Sequence, residues 1–585
     1  MQVDIVLVSY NSARWIPGCL SALAALDYDK AQLHVYLADN ASADKSADIA
    51  EDWQARHPSA LPLTVLRLAG NKGFGAGCNA GAGTGSAPWL FFLNLDTEIF
   101  PDCLRRLEQA AQSADERTAA LECRQLPFET GHEIDPVTME VPWASGAALL
   151  VKRAAFEAAG RFDEHLFMYC EDVDLSWRLR AQGNTLLYVP SARVRHYSDA
   201  DGTAAPKLGE YAGSYYGNLL LRYKFGTWRD IFDGEKMYLA VLRHPMHFDG
   251  VRRVMAKNYL RHFAALWPFL LWRLTHRAAY KTHTARFAGG FSADRGRQAC
   301  PQTEAGPKVS VLIRTCGRPE VLRRTLAALR WQTYANWEIV VLEDGAPVSQ
   351  GMLEQEFSDL PIRYFATGEK VGRGRAGNLA IEKASGEYCN FLDDDDYFYP
   401  DHLEMMAGLA GEHPEADIVL GSSMACYARK ESDSPYRFCV ERLEPMVFDR
   451  IDLFTMCSSC RIAIQTVLFK KELYEKWGGM REDLPGNEDW AMWLKYLGRG
   501  RRIGGSAPDV TRATSMFLVP ADAAAAAQRE AAYRKYRAAM YEDDSLTFTV
   551  TAAQLRDFYT DMLRDVAHLR QQGLLERYLD ENLPR

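Results

Sequence analysis

Cysteine is sparse: there are 12 in 585 residues, and most stand singly in apolar runs, as Cys19, Cys78, Cys170 and Cys389 do. That excludes a disulfide scaffold and fits a reducing compartment. Cys457-Ser-Ser-Cys460 has no second CxxC or histidine pair at zinc-finger spacing, so it reads as ordinary loop or core thiols. Long hydrophobic runs are missing too. The longest, Phe263 to Leu274, contains Pro268 and Arg273 and falls far short of the ~20 residues a bilayer-spanning helix needs. Met1 to Tyr10 runs straight into a strand pattern without a basic leader, so no signal peptide is expected and the expected location is cytoplasmic. Positive charge is not in excess: a net charge of −9 gives no general attraction to nucleic acid, and none is expected as a partner.

What is present is enough chain for more than one core. Val3-Asp4-Ile5-Val6-Leu7-Val8-Ser9-Tyr10 and Lys308-Val309-Ser310-Val311-Leu312-Ile313-Arg314-Thr315 are similar β-branched runs, each followed by a helix-like segment. Further along, Leu33 to Asp39 matches Glu338 to Asp344, with the two aspartates 305 apart. Leu90 to Asp96 matches Tyr388 to Asp396 at an offset of 299, and Glu171-Asp172 matches Glu488-Asp489 at 317. Four features in the same order at a nearly constant offset imply duplication of a whole domain.

Strands alternating with helices imply an open, mostly parallel α/β sheet whose ligands bind beyond the strands' carboxyl ends. Asp39, Asp96, Asp344 and Asp393 to Asp396 all occupy such ends. Gathered carboxylates repel one another unless something positive joins them. Mg2+ or Mn2+ suits such oxygen ligands and shares its remaining sites with substrate phosphates.

Ser9-Tyr10-Asn11, Asp39-Asn40-Ala41-Ser42, Asn71-Lys72-Gly73-Phe74-Gly75, Asn79 and Asn94-Leu95-Asp96-Thr97 resemble the rhamnosyltransferase-like branch of the family 2 glycosyltransferases. Asp344-Gly345, Arg375, Asn378 and Leu392-Asp393-Asp394-Asp395-Asp396 resemble that family's general pattern. The resemblance implies two GT-A domains, Rossmann-like with mostly parallel sheets, at 1–225 and 305–520. A helical connector and linker at 226–304 would join them, and 521–585 would be a helical C-terminal extension. It implies nucleotide-sugar pockets lined by Ser9, Tyr10, Asn11, Asp39, Asn71 and Asn79, and by Arg314, Thr315, Asp344, Arg375, Asn378 and Asp393. Asp393 and Asp395 would be the metal-binding DxD pair, with Asp395 the direct ligand; Asn94 and Asp96 are its reduced counterpart. His196 stands where family members place a metal-contacting histidine; a structural histidine is the alternative. No histidine occupies the corresponding region around Val510-Thr511-Arg512.

Inverting transfer needs a base to take the acceptor hydroxyl's proton, and the resemblance implies Asp172 and Asp489 for that role. Helix capping is the competing reading for both Glu-Asp pairs. Trp143 to Ala147 is expected on the first module's acceptor side, while Trp177, Trp490 and Trp493, at helical spacing, read as core, with stacking on sugar faces the alternative. Gly372 to Gly377 satisfies GxGxxG, but a dinucleotide fingerprint belongs at the first strand, and this one follows the third.

The implied activity is bifunctional transfer from UDP- or dTDP-linked sugars to a growing surface polysaccharide, such as an O-antigen or capsule, or to a lipid-linked oligosaccharide. The alternative is a catalytic second domain beside a carbohydrate-binding or scaffold first domain. Between the modules Arg252, Arg253, Lys257, Arg261, Arg273, Arg277 and Lys281 interleave with Trp267, Phe269, Leu270, Leu271 and Trp272. The pattern reads either as a helix lying on the inner face of the cytoplasmic membrane or as a helical pair packed on the first module.

Overall fold

The computed structural model describes residues 1–129, 131–197, 208–276, 295–301, 306–446, 448, 451–484, 486–503, 507–522 and 552–571, with a few single positions between 524 and 531. Gly289-Gly290, Arg277, Lys281 and most of 521–585 lie outside the described residues.

The first module is built on β1 (Val3–Ser9), β2 (Leu33–Asp39), β3 (Leu63–Arg67), β4 (Trp89–Leu93), β5 (Thr97–Ile99), β6 (Thr118–Leu126), β7 (Ala148–Lys152) and β8 (Thr185–His196). They form one sheet in the order β3-β2-β1-β4-β7-β6-β8-β5. The first four are parallel, and β7 enters antiparallel to β4 and β6. Parallel strands covered on both faces must be apolar throughout, and in β1 every residue but Val8 is buried. Helix Phe74–Thr84 lies directly on β1. A Cβ at Gly77 or Gly81 would come within 2.6 Å of Val8 or Val6, so these glycines serve close helix–strand packing.

The second module contains β9 (Val309–Thr315), β10 (Trp337–Glu343), β11 (Ile362–Ala366), β12 (Tyr388–Asp393), β13 (Tyr397–Phe398), β14 (Ile418–Leu420), β15 (Ser422–Asp433), β16 (Tyr436–Met446), β17 (Val467–Lys470) and β18 (Ala513–Pro520). Its main sheet, β11-β10-β9-β12-β17-β14, repeats β3-β2-β1-β4-β7-β6 position for position. In the first module β6 pairs with both β7 and β8. In the second, β14 pairs with β17 and β15 with β18, and Gly421 stands at the break, which leaves β13-β18-β15-β16 as a separate sheet. The β15–β16 hairpin, which the sequence pattern did not single out, lies where the repeat offset steps from 299 to 317.

Ladder register corrects one pairing in the repeat. Ser9 pairs with Asp39, and Thr315 pairs with Glu343. The following amides, of Asn40 and Asp344, donate to the Ser9 and Thr315 carbonyls, both at 2.8 Å. Asp39 therefore corresponds to Glu343, and Asn40 to Asp344. Matching Asp39 with Asp344 slips the repeat by one residue, which in a strand moves a side chain to the opposite face.

One apolar cluster spans the modules, joining Leu149 and Tyr188 to Tyr397 and Met424. A buried ion network lies in the same interface. Glu129 accepts from Arg124 at 2.6 Å and from Arg512 at 2.9 Å; Arg124 also donates to Glu404 at 2.6 Å, and Asp401 lies 3.0 Å from Arg512 and 3.3 Å from Arg295. Between the modules, helices Leu208–Phe225, Trp228–Arg243 and Val251–His276 pack together. Leu220, Leu221 and Phe269 meet Leu166, Cys170, Val173 and Trp177 of the first module. Among the described residues no helix is long and apolar enough to cross a membrane.

Candidate active sites

In the first module, Ser9 ends β1 with a buried hydroxyl that lacks a hydrogen-bond partner, while Tyr10 beside it is exposed. Asn11, held at φ +53°, accepts from the Ala43 amide at 2.8 Å and donates its own amide to Ser42 Oγ at 2.9 Å. Ser42 in turn donates its hydroxyl (2.5 Å) and amide (3.1 Å) to Asp39. Asn11 and Asp39 thus knit together the loops that leave β1 and β2. Asn71 accepts from the Gly73 amide at 2.9 Å and sets the turn before helix Phe74–Thr84. Asn79 is buried and spends its carboxamide on both backbone groups of Phe162 and on Glu164. Asn378 makes the same bonds to Met480 and Glu482, so both asparagines anchor the loop that leads toward a Glu-Asp pair.

That pair opens helix Glu171–Ala181 behind Cys170, a residue at φ +70°; Asn487, at φ +59°, does the same for helix Glu488–Arg499. Asp172 accepts from the Gly146 amide at 3.0 Å and the Val173 amide at 2.8 Å, which docks the Trp143–Ala147 segment against it. Neither Cys170 nor Asn487 makes a side-chain cap bond. Glu171 is buried with one carboxylate oxygen unpartnered. Burial, and then the neighbouring Asp172, push its carboxyl from the ordinary 4.5 up to about 8; burial raises Asp172 as well.

The antiparallel β5–β8 ladder sets Thr97 opposite His196. His196 Nε2 lies 3.3 Å from Asp96 Oδ1, and its Nδ1 lies 2.8 Å from Gln125 Oε1. An amide oxygen only accepts, so with Gln125 in this orientation Nδ1 donates to it and Nε2 is the ring nitrogen turned toward Asp96. One carboxylate oxygen and one imidazole nitrogen fit Mn2+ or Mg2+, with phosphate oxygens completing the sphere. Among the described residues no three such side chains converge, so the pair would supply only part of the coordination. Sequence reasoning missed Gln125, because nothing marks a strand glutamine as a histidine's partner.

The second module handles its carboxylates differently. Arg314 is buried and donates to Asp393 at 2.8 Å and to Glu488 at 2.9 Å. Arg373 approaches the same two carboxylates at 3.6 and 3.3 Å. Burial pushes the Asp393 carboxyl up, but Arg314 and Arg373 more than offset it and hold Asp393 below the usual range. Thr315 donates to Asp394 at 2.7 Å, and Arg318 donates to Asp394 and reaches Asp395 at 3.3 Å. Asp396 accepts from the Leu518 amide at 3.1 Å. Burial still lifts Asp394 to about 6, with Arg318 opposing. Arginines thus supply positive charge that the sequence reading assigned to a metal. Asp395, about one-third exposed, is the member of the run most open to a cation. Asp344 accepts from the Val371 and Gly372 amides at 2.6 and 3.0 Å and fixes the turn at Gly372 (φ +95°), while Arg375 pairs with Glu482 at 3.2 Å. Burial and Glu488 raise Asp489 to about 6, against Arg314. By the β13–β18 register and the 299 offset, Phe517 stands where the first module has His196.

Residues 4–156 and 310–478, more than half of the chain, match the pattern described as Glycosyl transferase family 2. The chain belongs to glycosyl transferase family 2. This family 2 chain is 30% identical over 276 residues to an N-acetylglucosaminyl-diphospho-decaprenol L-rhamnosyltransferase of Mycobacterium tuberculosis, covering 39% of this chain and 86% of that one. It is 28% identical over 202 residues to an uncharacterized glycosyltransferase of Rickettsia typhi, 34% of this chain and 60% of the relative. Across three curated relatives the match spans only 60%, 42% and 25% of their length. Among solved structures, a mannosyltransferase from Pyrobaculum calidifontis in complex with GDP-Man and Mn2+ aligns at 15% identity over 47% of this chain and 87% of that one, with a TM-score of 0.32. An alignment that loose locates no residue.

Proposed function

We propose that the chain is a two-site inverting glycosyltransferase that moves sugars from UDP- or dTDP-linked donors to a polysaccharide or lipid-linked oligosaccharide acceptor. The observation that carries this reading is the recurrence, on one topology, of a Glu-Asp pair at a helix start with a burial-raised aspartate, Asp172 and Asp489. In each site that aspartate accepts the proton of the acceptor hydroxyl as its oxygen attacks the anomeric carbon from the face opposite the diphosphate. A burial-raised carboxylate is a stronger base than an ordinary one. A Mg2+ or Mn2+ ion would neutralise the leaving diphosphate. Asp96 with His196 would hold it in the first module and Asp395 in the second, while Arg314, turned inward, holds Asp393 at the edge of the nucleotide pocket. Ser9, Tyr10, Thr315 and Arg373 bound the donor pockets at the ends of β1 and β9. The M. tuberculosis relative is named for a lipid-linked acceptor, and that supports an acceptor of this class here.

Asp172→Asn and Asp489→Asn, assayed separately against a panel of UDP-, dTDP- and GDP-sugars, test the reading. Each should lose a different transfer by about 10^2–10^4-fold while the other persists. An inert Asp172→Asn would make the first module a binding domain, and loss of both transfers in either variant would end the two-site reading.

A further inference from the structure

Helix Val251–His276 is fastened by one face and bare on the other. It buries Met255, His262 and Phe269, seven residues apart, and Phe269 packs beside the helix that carries Asp172. Two residues out of phase, about 200° around the helix, Arg253, Lys257, Leu260, Trp267, Leu271 and Leu274 follow one another along a single exposed line. Trp228 and Phe232 of the adjoining helix Trp228–Arg243 add to it, and the Arg273 guanidinium lies 5.1 Å over the Trp228 ring. All six of these apolar side chains are more than half exposed. A soluble surface rarely carries so many large apolar side chains together unless they meet a partner.

Charge identifies the partner. The whole chain is acidic, at −9, yet from Trp228 to His276 there are eight lysines and arginines against four acids, and only one of those acids, Asp249, comes after Glu235. Helix Val251–His276 has no acidic residue, its cations are concentrated in the first half, and its exposed leucines and tryptophan lie in the second. A second copy of the chain would bring these cations against one another. An anionic bilayer surface satisfies both halves: Trp267, Leu271 and Leu274 enter the boundary of the acyl chains, and Arg252, Arg253, Lys257 and Arg261 meet headgroup phosphates. We propose that this face docks the first module on an anionic membrane surface, with helix Val251–His276 lying in the plane of the interface. Because Phe269 packs on the Asp172 helix, docking holds the first module's Glu-Asp pair near the lipid surface. That last step rests on the proposed transfer to a lipid-linked acceptor; the docking itself does not.

Flotation of the full chain with vesicles, without donor or acceptor, tests the docking. The parent should float with phosphatidylcholine–phosphatidylglycerol vesicles at low salt and much less with phosphatidylcholine alone. Trp267→Glu/Leu271→Glu should cut binding to anionic vesicles about tenfold or more, and Arg253→Glu/Lys257→Glu about tenfold or more. Both pairs are exposed, so the thermal midpoint should stay at the parent's value and exclude misfolding. A parent that binds neither vesicle, variants that float like the parent, or variants whose only change is in oligomeric state by light scattering would overturn the proposal. Transfer to a water-soluble acceptor, measured on the same variants, should remain intact. Loss of flotation with retained transfer therefore separates this inference from the proposed activity.

Discussion

Val8, Asn94 and Glu171 in the first module occupy the places of Arg314, Asp393 and Glu488 in the second. The register of β1 against β4 and of β9 against β12 fixes the first two pairs, and the shared left-handed residue before each helix fixes the third. The second module carries a buried cation between two carboxylates. The first lacks the cation and one of the carboxylates, so its remaining glutamate is buried with no cation to favour its charge and its proton is held to high pH. The two changes are coupled, since a buried Asp without the Arg, or the Arg without the Asp, would be an uncompensated charge. The first module instead places Asp96 against His196, where the second has Phe517. The two modules share a scaffold and differ in electrostatics: one site sets an oxygen–nitrogen pair together, the other ties its carboxylates to arginines.

The largest effect should come from breaking the second module's cluster. Arg314→Val installs the first module's residue and leaves the buried Glu488 and the partly exposed Asp393 without their main partner, at a cost of about 3–5 kcal/mol. Arg314→Val/Asp393→Asn reproduces Val8 and Asn94 together and should recover more than half of that loss in the denaturation midpoint. If the double variant is no more stable than the single one, the coupled exchange is not what separates the modules.

A smaller effect sharpens the metal side of the contrast. Gln125→Ala removes the group that holds the His196 ring with Nε2 toward Asp96. Orienting partners of this kind are worth about 10–100-fold in metal affinity. Mn2+ titration in the presence of a nucleoside diphosphate should show that loss for one class of site and none for the other, because Phe517 offers no equivalent ligand. Unchanged affinity at both sites would make His196 a structural histidine.

The α/β architecture was legible because β1, β4, β9 and β12 are buried on both faces and read as mostly apolar runs, with carboxylates at or just past the ends of β2, β4, β10 and β12. The Glu-Asp pairs were legible from their recurrence. Register was not: Ala38-Asp39-Asn40 and Glu343-Asp344-Gly345 each put a carboxylate near the strand end, and only ladder bonds decide which positions correspond. The direction of Arg314 was also hidden. A residue at a strand end can face a ligand or the interior, and here Asp393 and Glu488, 79 and 174 residues away, draw it inward. The inter-module network was out of reach for the same reason, with Arg124 and Glu404 280 residues apart and Glu129 and Arg512 383 apart.

The smallest predicted effect is in pH dependence. Burial and Glu488 raise Asp489 to about 6, and Arg314 opposes them. A base must be unprotonated to act, so kcat/KM for the second module's transfer should be half its plateau near pH 6, fall about tenfold per unit below that, and level off above it. Arg314 lowers the Asp489 carboxyl more than Asp393 raises it, so in Arg314→Val/Asp393→Asn the limb should move to higher pH. Asp172 provides an internal reference: it has no arginine in this position, and burial leads its upward shift. The two transfers, followed in one sample with their separate donors, separate the two limbs, and in the double variant only the second module's limb should move. A second limb that stays in place in the double variant would mean that Arg314 does not tune Asp489.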